Sequence, residues 1–139
     1  MLLHIIARGK IGRSPEADLT ERYLKRIGWP TKVTELGERA ALPAPPSGSV
    51  SIALDERGTA LSSTQLASRL ESWRDGGKRE ARFLIGAADG HDDASRSAAD
   101  LLLSFGPATW PHLLVRAMLA EQLFRATSIL TKHPYHREG

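Results

Sequence analysis

The residues best equipped for chemistry gather in the C-terminal segment of this 139-residue chain. Three of its five histidines, His112, His133 and His136, lie there, and Tyr135, His136 and Arg137 follow one another directly. That trio puts a hydrogen-bonding phenol, a titrating imidazole and a cation within three residues. Such a set can move a proton and stabilise negative charge as it develops. A histidine-rich tail that merely caps helix carbonyls accounts for His133 but accounts poorly for the trio. No carboxylate or thiolate stands at ligand spacing from these histidines, so no metal is expected. Cysteine is absent, which excludes thiol catalysis, disulfides and zinc fingers. No serine sits in a nucleophile elbow, and no carboxylate pair frames a glycosidase-like site.

A second feature is the glycine-bounded stretch Ile85-Gly86-Ala87-Ala88-Asp89-Gly90. Glycine lets a ligand approach the main chain closely. The stretch lacks both the spacing of a dinucleotide fingerprint and the Lys-Ser/Thr of a P-loop. Alone, it also fits an ordinary strand-to-helix turn. Glu121 and Arg125, four apart, suit a helix-face ion pair. Trp110 stands where a ligand ring can lie.

These groups need elements to position them. Residues 1–8 read as a buried first strand, followed by a basic turn over 9–13. Ser14, Pro15 and Glu16 open a helix, with Tyr23, Leu24 and Ile27 on one face and Gly28 and Pro30 beyond its end. A strand over 32–36 leads into a proline-rich loop over 37–49. The next strand covers 50–54 and ends at Asp55, with a turn at Glu56-Arg57-Gly58. Ser62 and Gln65 form a capping box for a helix running to about Trp73. A strand over 82–85, a short helix capped by Asp92 or Asp93 and running through Leu101, and a strand over 102–105 come next. A long helix then starts at Pro111 and His112. The alternation predicts an α/β fold, a mainly parallel sheet flanked by helices. Ligands bind beyond the carboxyl ends of such strands. Leu54-Asp55, Ile85-Gly86 and the run from Phe105 to Trp110 would then share one edge.

The last helix is apolar on nearly every side, at Leu113, Leu114, Val115, Ala117, Met118, Leu119, Leu123, Phe124 and Ile129. A helix apolar all round needs cover on more than one side, here its own sheet and a second copy of the chain. The net charge is +3, and residues 1–30 contain the whole excess: Arg8, Lys10, Arg13, Arg22, Lys25 and Arg26 against Glu16, Asp18 and Glu21. A basic face of this kind suits RNA. Charge alone fits a solvated helix face at least as well. No run is long enough to span a membrane, and no signal peptide is read at the start, so a single cytoplasmic domain over 1–139 is expected.

Several of these residues stand in the order of one family: Leu54-Asp55, Ile85-Gly86 with Asp89-Gly90, Pro111-His112 with Leu114-Val115-Arg116, Ala120 to Ala126, and His133-Pro134-Tyr135-His136-Arg137-Glu138. The chain resembles, over nearly its whole length, the bacterial ribosomal large-subunit RNA methyltransferases H of the SPOUT class. The resemblance implies a deep C-terminal trefoil knot, a homodimer, and methylation of N3 of a pseudouridine in 23S rRNA on the ribosome, with S-adenosylmethionine as cofactor. By matching position it assigns Leu54, Gly86, Phe105, Gly106, Pro107, Ala108, Thr109 and Trp110 to the cofactor, and His112, Tyr135, His136 and Arg137 to the active site. Ala87, Asp89 and Leu113 stand where the family has Gly, Glu and Pro, and the central region is short. The N3 imide proton must leave as the methyl arrives. The sequence leaves its acceptor open among His112, His136, Tyr135 and solvent, and leaves Arg137 or Arg116 to stabilise the developing charge. Two alternatives are a SPOUT methyltransferase with another RNA target and a non-catalytic RNA-binding dimer.

Overall fold

The computed structural model describes residues 1–87 and 90–137. Strands β1 (Leu2–Arg8), β2 (Thr31–Leu36), β3 (Ser49–Ala60), β4 (Glu80–Ile85) and β5 (Leu101–Ser104) form one sheet in the order β2-β1-β4-β3-β5. Every strand pair is parallel, so all carboxyl ends lie along one edge. Helices α1 (Pro15–Leu24), α2 (Ser63–Asp75), α3 (Asp93–Ala98) and α4 (His112–Leu130) make the crossovers and the C-terminal element. The local helix signals act as their chemistry requires. Ser14 Oγ accepts the Ala17 amide, and Ser62 with Gln65 forms the reciprocal capping box.

Alternate side chains of the sheet enter two cores. Leu3, Ile5, Ile52, Phe83 and Leu103 face α2 and α4, whose Leu70, Leu119 and Leu123 are fully buried. Residues Tyr23 and Leu24 of α1 pack on the same cluster, and α4 lies against both α1 and α2. The opposite face is thinner, with Ile6, Ala53 and Leu84 under Leu36, Leu42, Ala99 and Leu102. Its buried polar groups are tied down: His4 Nε2 lies 2.7 Å from Thr34 Oγ1, and Arg82 donates to the Pro43 carbonyl at 2.8 Å. That last bond draws the proline-rich loop over the sheet.

The first helix stops at Leu24, short of the Ile27 read into it, and the last strand spans Leu101–Ser104 rather than 102–105. Two other boundaries differ more. The strand expected to stop at Asp55 continues as β3 to Ala60, without a turn at Glu56-Arg57-Gly58. Its pairing with β5 slips there, so that Leu54 and Thr59 both register with Leu103. This bulge accommodates the extra residues while the polar side chains remain outside the core. The short helix stops at Ala98, well before Leu101. Asp100 then donates its amide to the Ser51 carbonyl and accepts the Ser51 amide on Oδ2, both at 2.8 Å, which seats β5 beside β3.

Gly58 is the tightest point of the slip. A Cβ there would lie 2.6 Å from the carbonyl carbon and oxygen of Leu102. Gly58→Ala is expected to destabilise the fold by about 1–3 kcal/mol, as overpacking does. Chemical denaturation checks this, and an unchanged midpoint would contradict the close approach.

Candidate functional site

The carboxyl ends of β4 and β5, the slipped residues 54–57 within β3 and the first turn of α4 surround a cleft of about 250 Å³. Leu54, Gly86, Phe105, Gly106, Ala108, Thr109 and Trp110 all line it, as does His112; Pro107 alone among the residues assigned to the cofactor does not. The cleft is therefore where the parallel order brings the ends of β4 and β5 beside the slipped stretch of β3.

Its walls are largely backbone held in fixed turns. At Gly86 a Cβ would lie 2.8 Å from the Gly90 carbonyl carbon, and Gly90 donates its amide to Ala87 at 2.8 Å. Ala87 fits because it does not need a positive φ: Lys132 is the one described non-glycine residue that has one. Ala88 and Asp89, also part of this sequence motif, lie outside the described residues. On the opposite wall, Ser104 Oγ accepts the Gly106 amide at 2.9 Å, and Thr109 donates to Glu56 Oε2 at 2.8 Å. The Trp110 ring nitrogen reaches the Phe105 carbonyl at 3.4 Å, while the residue stays 43% exposed at the rim. Among the described residues no side chain caps the amino end of α4 beside the cleft. Its first amides are thus open to solvent or ligand.

Four further polar residues line the cleft: Asp55, Glu56, Arg57 and His91. Asp55 is nearly buried and meets the Arg96 Nε at 2.7 Å, linking β3 to α3. The His91 Nε2 lies 3.0 Å from the Leu84 carbonyl. Burial, the largest influence, holds the His91 pKa below the usual value. The neutral ring donates from Nε2 and keeps Nδ1 as an acceptor. Sequence reasoning passed over His91 and Glu56. The signal was positional, since each lies just past a strand-end motif.

The tail is arranged differently. Beyond α4, Lys132 turns with φ 58 and the chain folds back along the helix. The Tyr135 ring sits 4.5 Å from that of Phe124, with the Arg125 guanidinium 4.7 Å from its centroid. Its hydroxyl donates to Glu121 Oε1 at 3.2 Å, and Arg125 lies 3.2 Å from His136 Nδ1. Glu121 and Arg125, a helix-face pair at 2.6 Å, thus also anchor the tail. Arg137 is exposed, and Glu138 and Gly139 lie outside the described residues. The 19-residue α4 holds its ends roughly 28 Å apart. One chain therefore brings His112 to the cleft but holds Tyr135 beside Glu121, halfway along α4, and His136 beside Arg125 beyond it; none of Tyr135, His136 and Arg137 lines the cleft. Arg116 is not a cleft residue either: it is buried and pairs with Glu35 at 2.5 Å. Among the described residues, no three His, Asp or Glu side chains converge as a metal ion would require, and no helix is long and apolar enough to cross a membrane.

The fold is shared with solved proteins described as a methyltransferase and a methylase. A probable methyltransferase from Bordetella pertussis aligns over 91% of this chain and 95% of its own, with TM-score 0.57 and 13% identity. A probable methylase family protein from Haemophilus influenzae aligns over 98% of this chain and 70% of its own, with TM-score 0.62 and 12% identity. The chain belongs to the SPOUT methyltransferases: the family described as "Predicted SPOUT methyltransferase" matches residues 1–136. At the sequence level it is 66% identical over 140 residues to the ribosomal RNA large subunit methyltransferase H of Rhizorhabdus wittichii, covering all of both chains. It is equally similar, 66% over 141 residues and all of both chains, to the protein of the same name from Novosphingobium aromaticivorans.

The back-folded tail has a measurable signature. Burial first, then the hydrogen bond with Tyr23 and the Glu121 charge, push the Tyr135 pKa up to about 12. The phenol is therefore protonated at neutral pH, which argues against a phenolate base in this arrangement. Because the folded value lies above the ordinary one, the associated stability is present below about pH 10 and declines as the pH rises toward 12. Ultraviolet titration of the two tyrosines should show one midpoint near 12. Two normal midpoints would contradict the contacts.

Proposed function

We propose that the chain is a single-domain cytoplasmic enzyme that methylates N3 of a pseudouridine in 23S rRNA on the ribosome, using S-adenosylmethionine. The observation that carries this reading is full-length similarity to proteins named ribosomal RNA large subunit methyltransferase H, together with a cleft suited to a nucleoside ligand. Apolar Leu54, Leu103, Phe105 and Val115 offer a slot for a flat ring, and backbone at Gly86 and Gly106 can approach it without side chains between. The residues present fit that cofactor. Leu54, Gly86 and the run from Phe105 to Trp110 would hold it. When bound, it supplies a sulfonium methyl group.

The protein's part is then alignment and proton management. Much of the rate of such a transfer comes from holding two substrates in line. His112 enters the cleft from the first turn of α4, where it can orient the base or take the N3 proton. Tyr135, His136 and Arg137 are proposed to act from a second subunit, because α4 keeps them from their own cleft. Arg137 would then stabilise negative charge on the carbonyls beside N3. A homodimer is supported by an apolar groove beside α4 lined by Leu19, Leu61, Leu114 and Met118, of which Leu19 is 36% exposed. The expected trefoil knot belongs to the same reading, and the edge position of β5 and the return of α4 over α1 and α2 are compatible with it.

Incubating the enzyme with large ribosomal subunits and methyl-labelled S-adenosylmethionine tests the reading. Label is expected at N3 of one pseudouridine in 23S rRNA. Gly86→Val, which crowds the turn against Gly90, should weaken cofactor binding in calorimetry and lower transfer in parallel. Label at a different nucleotide would replace the substrate, and no label in any RNA would overturn the enzymatic reading.

A further inference from the structure

The turn between β1 and α1, residues 9–13, exposes Lys10 and Arg13. Two other cations of the basic segment are already engaged. Arg8 donates to the carbonyls of Gly37, Glu38 and Ala40 at 3.0, 3.3 and 2.6 Å, and Lys25 pairs with Glu21 at 3.0 Å. Neither Lys10 nor Arg13 has a salt bridge among the described residues. The turn continues from β1, whose Ala7 registers with Ile85 of β4, so it borders the Gly86 wall of the cleft.

Its backbone is held from two sides. Ile11 donates its amide to Glu35 Oε2 at 2.8 Å, and the Gly9 carbonyl accepts from Arg116 at 3.3 Å. The same Glu35 oxygen accepts from Arg116 at 2.5 Å. Arg116 is 2% exposed and lies four residues beyond His112, on the same face of α4. One guanidinium thus ties the turn to the helix that opens the cleft. Stability alone does not explain this arrangement. Arg116 is buried but Glu35 is exposed, and an ion pair open to solvent at one partner contributes little to stability. The Arg116 Nε also lacks a hydrogen-bond partner among the described residues. What the pair supplies is a fixed position for the turn.

We propose that the 9–13 turn is the wall that receives an RNA phosphate beside the cleft, and that Arg116 and Glu35 are the positioning residues that set it there. The inference rests on the reading of the chain as an RNA methyltransferase. Phosphate contacts fix register without reading sequence, and a preordered cationic turn does so without first losing conformational freedom.

Two variants test it, Arg116→Met with Glu35→Gln, and Lys10→Ala with Arg13→Ala. For the first, we expect a thermal midpoint equal to wild type or higher, unchanged cofactor affinity, and faster hydrogen exchange at the Ile11 amide. Its KM for large ribosomal subunits should rise about tenfold with kcat within about twofold, as for a lost positioning contact. The second should show a similar rise in KM and a shallower salt dependence, with Ile11 still protected. A large fall in midpoint for the first variant would make the pair a stability element and overturn the proposal. So would unchanged exchange at Ile11, or an unchanged KM for either variant. Wild-type enzyme that labels no large-subunit RNA would sink the methyltransferase reading itself, a failure separate from these.

Discussion

A rigid helix keeps its ends apart, and in this protein that constraint governs how a site can be assembled. The amino end of α4 opens onto the cleft through His112, and its carboxyl end carries the residues of the tail. The tail folds back only as far as Glu121 and Arg125, where Tyr135 and His136 find their partners. A single chain therefore separates one set of reactive groups from the other. An apolar groove runs beside the same helix. Proposing a second subunit accounts for both facts: it covers the groove and can bring a tail to a cleft that lacks one.

Around the cleft, polar contacts share a geometric role. Asp55 with Arg96 holds α3 against β3, His91 secures the turn after β4 to the Leu84 carbonyl, and Arg116 with Glu35 fixes the turn after β1. Asp100 clasps Ser51 where β5 enters the sheet. Each ties a segment beyond a strand end to the rigid sheet or helix beside it. Loops that bind ligands need such support, because their own backbones have few ladder bonds.

The local signals were legible in the sequence. Ser62 with Gln65, Ser14 before Pro15, and Asp92 before Asp93 all marked real helix starts, because capping depends on residues only a few positions apart. Strand ends were harder. Asp55-Glu56-Arg57-Gly58 has the composition of a turn, yet it lies within β3, because its conformation is decided by β5, a distant segment that slips past it. The alternation of elements pointed to the cleft edge, and the strand-end residues named there do line it. Glu56 and His91 escaped notice since neither belongs to a motif; their place follows from which strand ends meet. The tail shows the opposite limit. Tyr135-His136-Arg137 announced chemistry by composition, but its position depends on Phe124, Glu121 and Arg125, which no spacing rule links to it.

The central claim is that a cleft from one subunit and a tail from another make one site. It is tested most directly by mixing two inactive proteins, one lacking residues 135–139 and one carrying Gly86→Val, and measuring methyl transfer to large ribosomal subunits. Each alone is expected to be nearly inactive. After the subunits exchange at random, the mixture should recover roughly a quarter of the wild-type rate, since half the dimers pair one intact cleft with one intact tail. A mixture as inactive as its components, with subunit exchange verified, would show that each chain builds its site alone and would contradict the account.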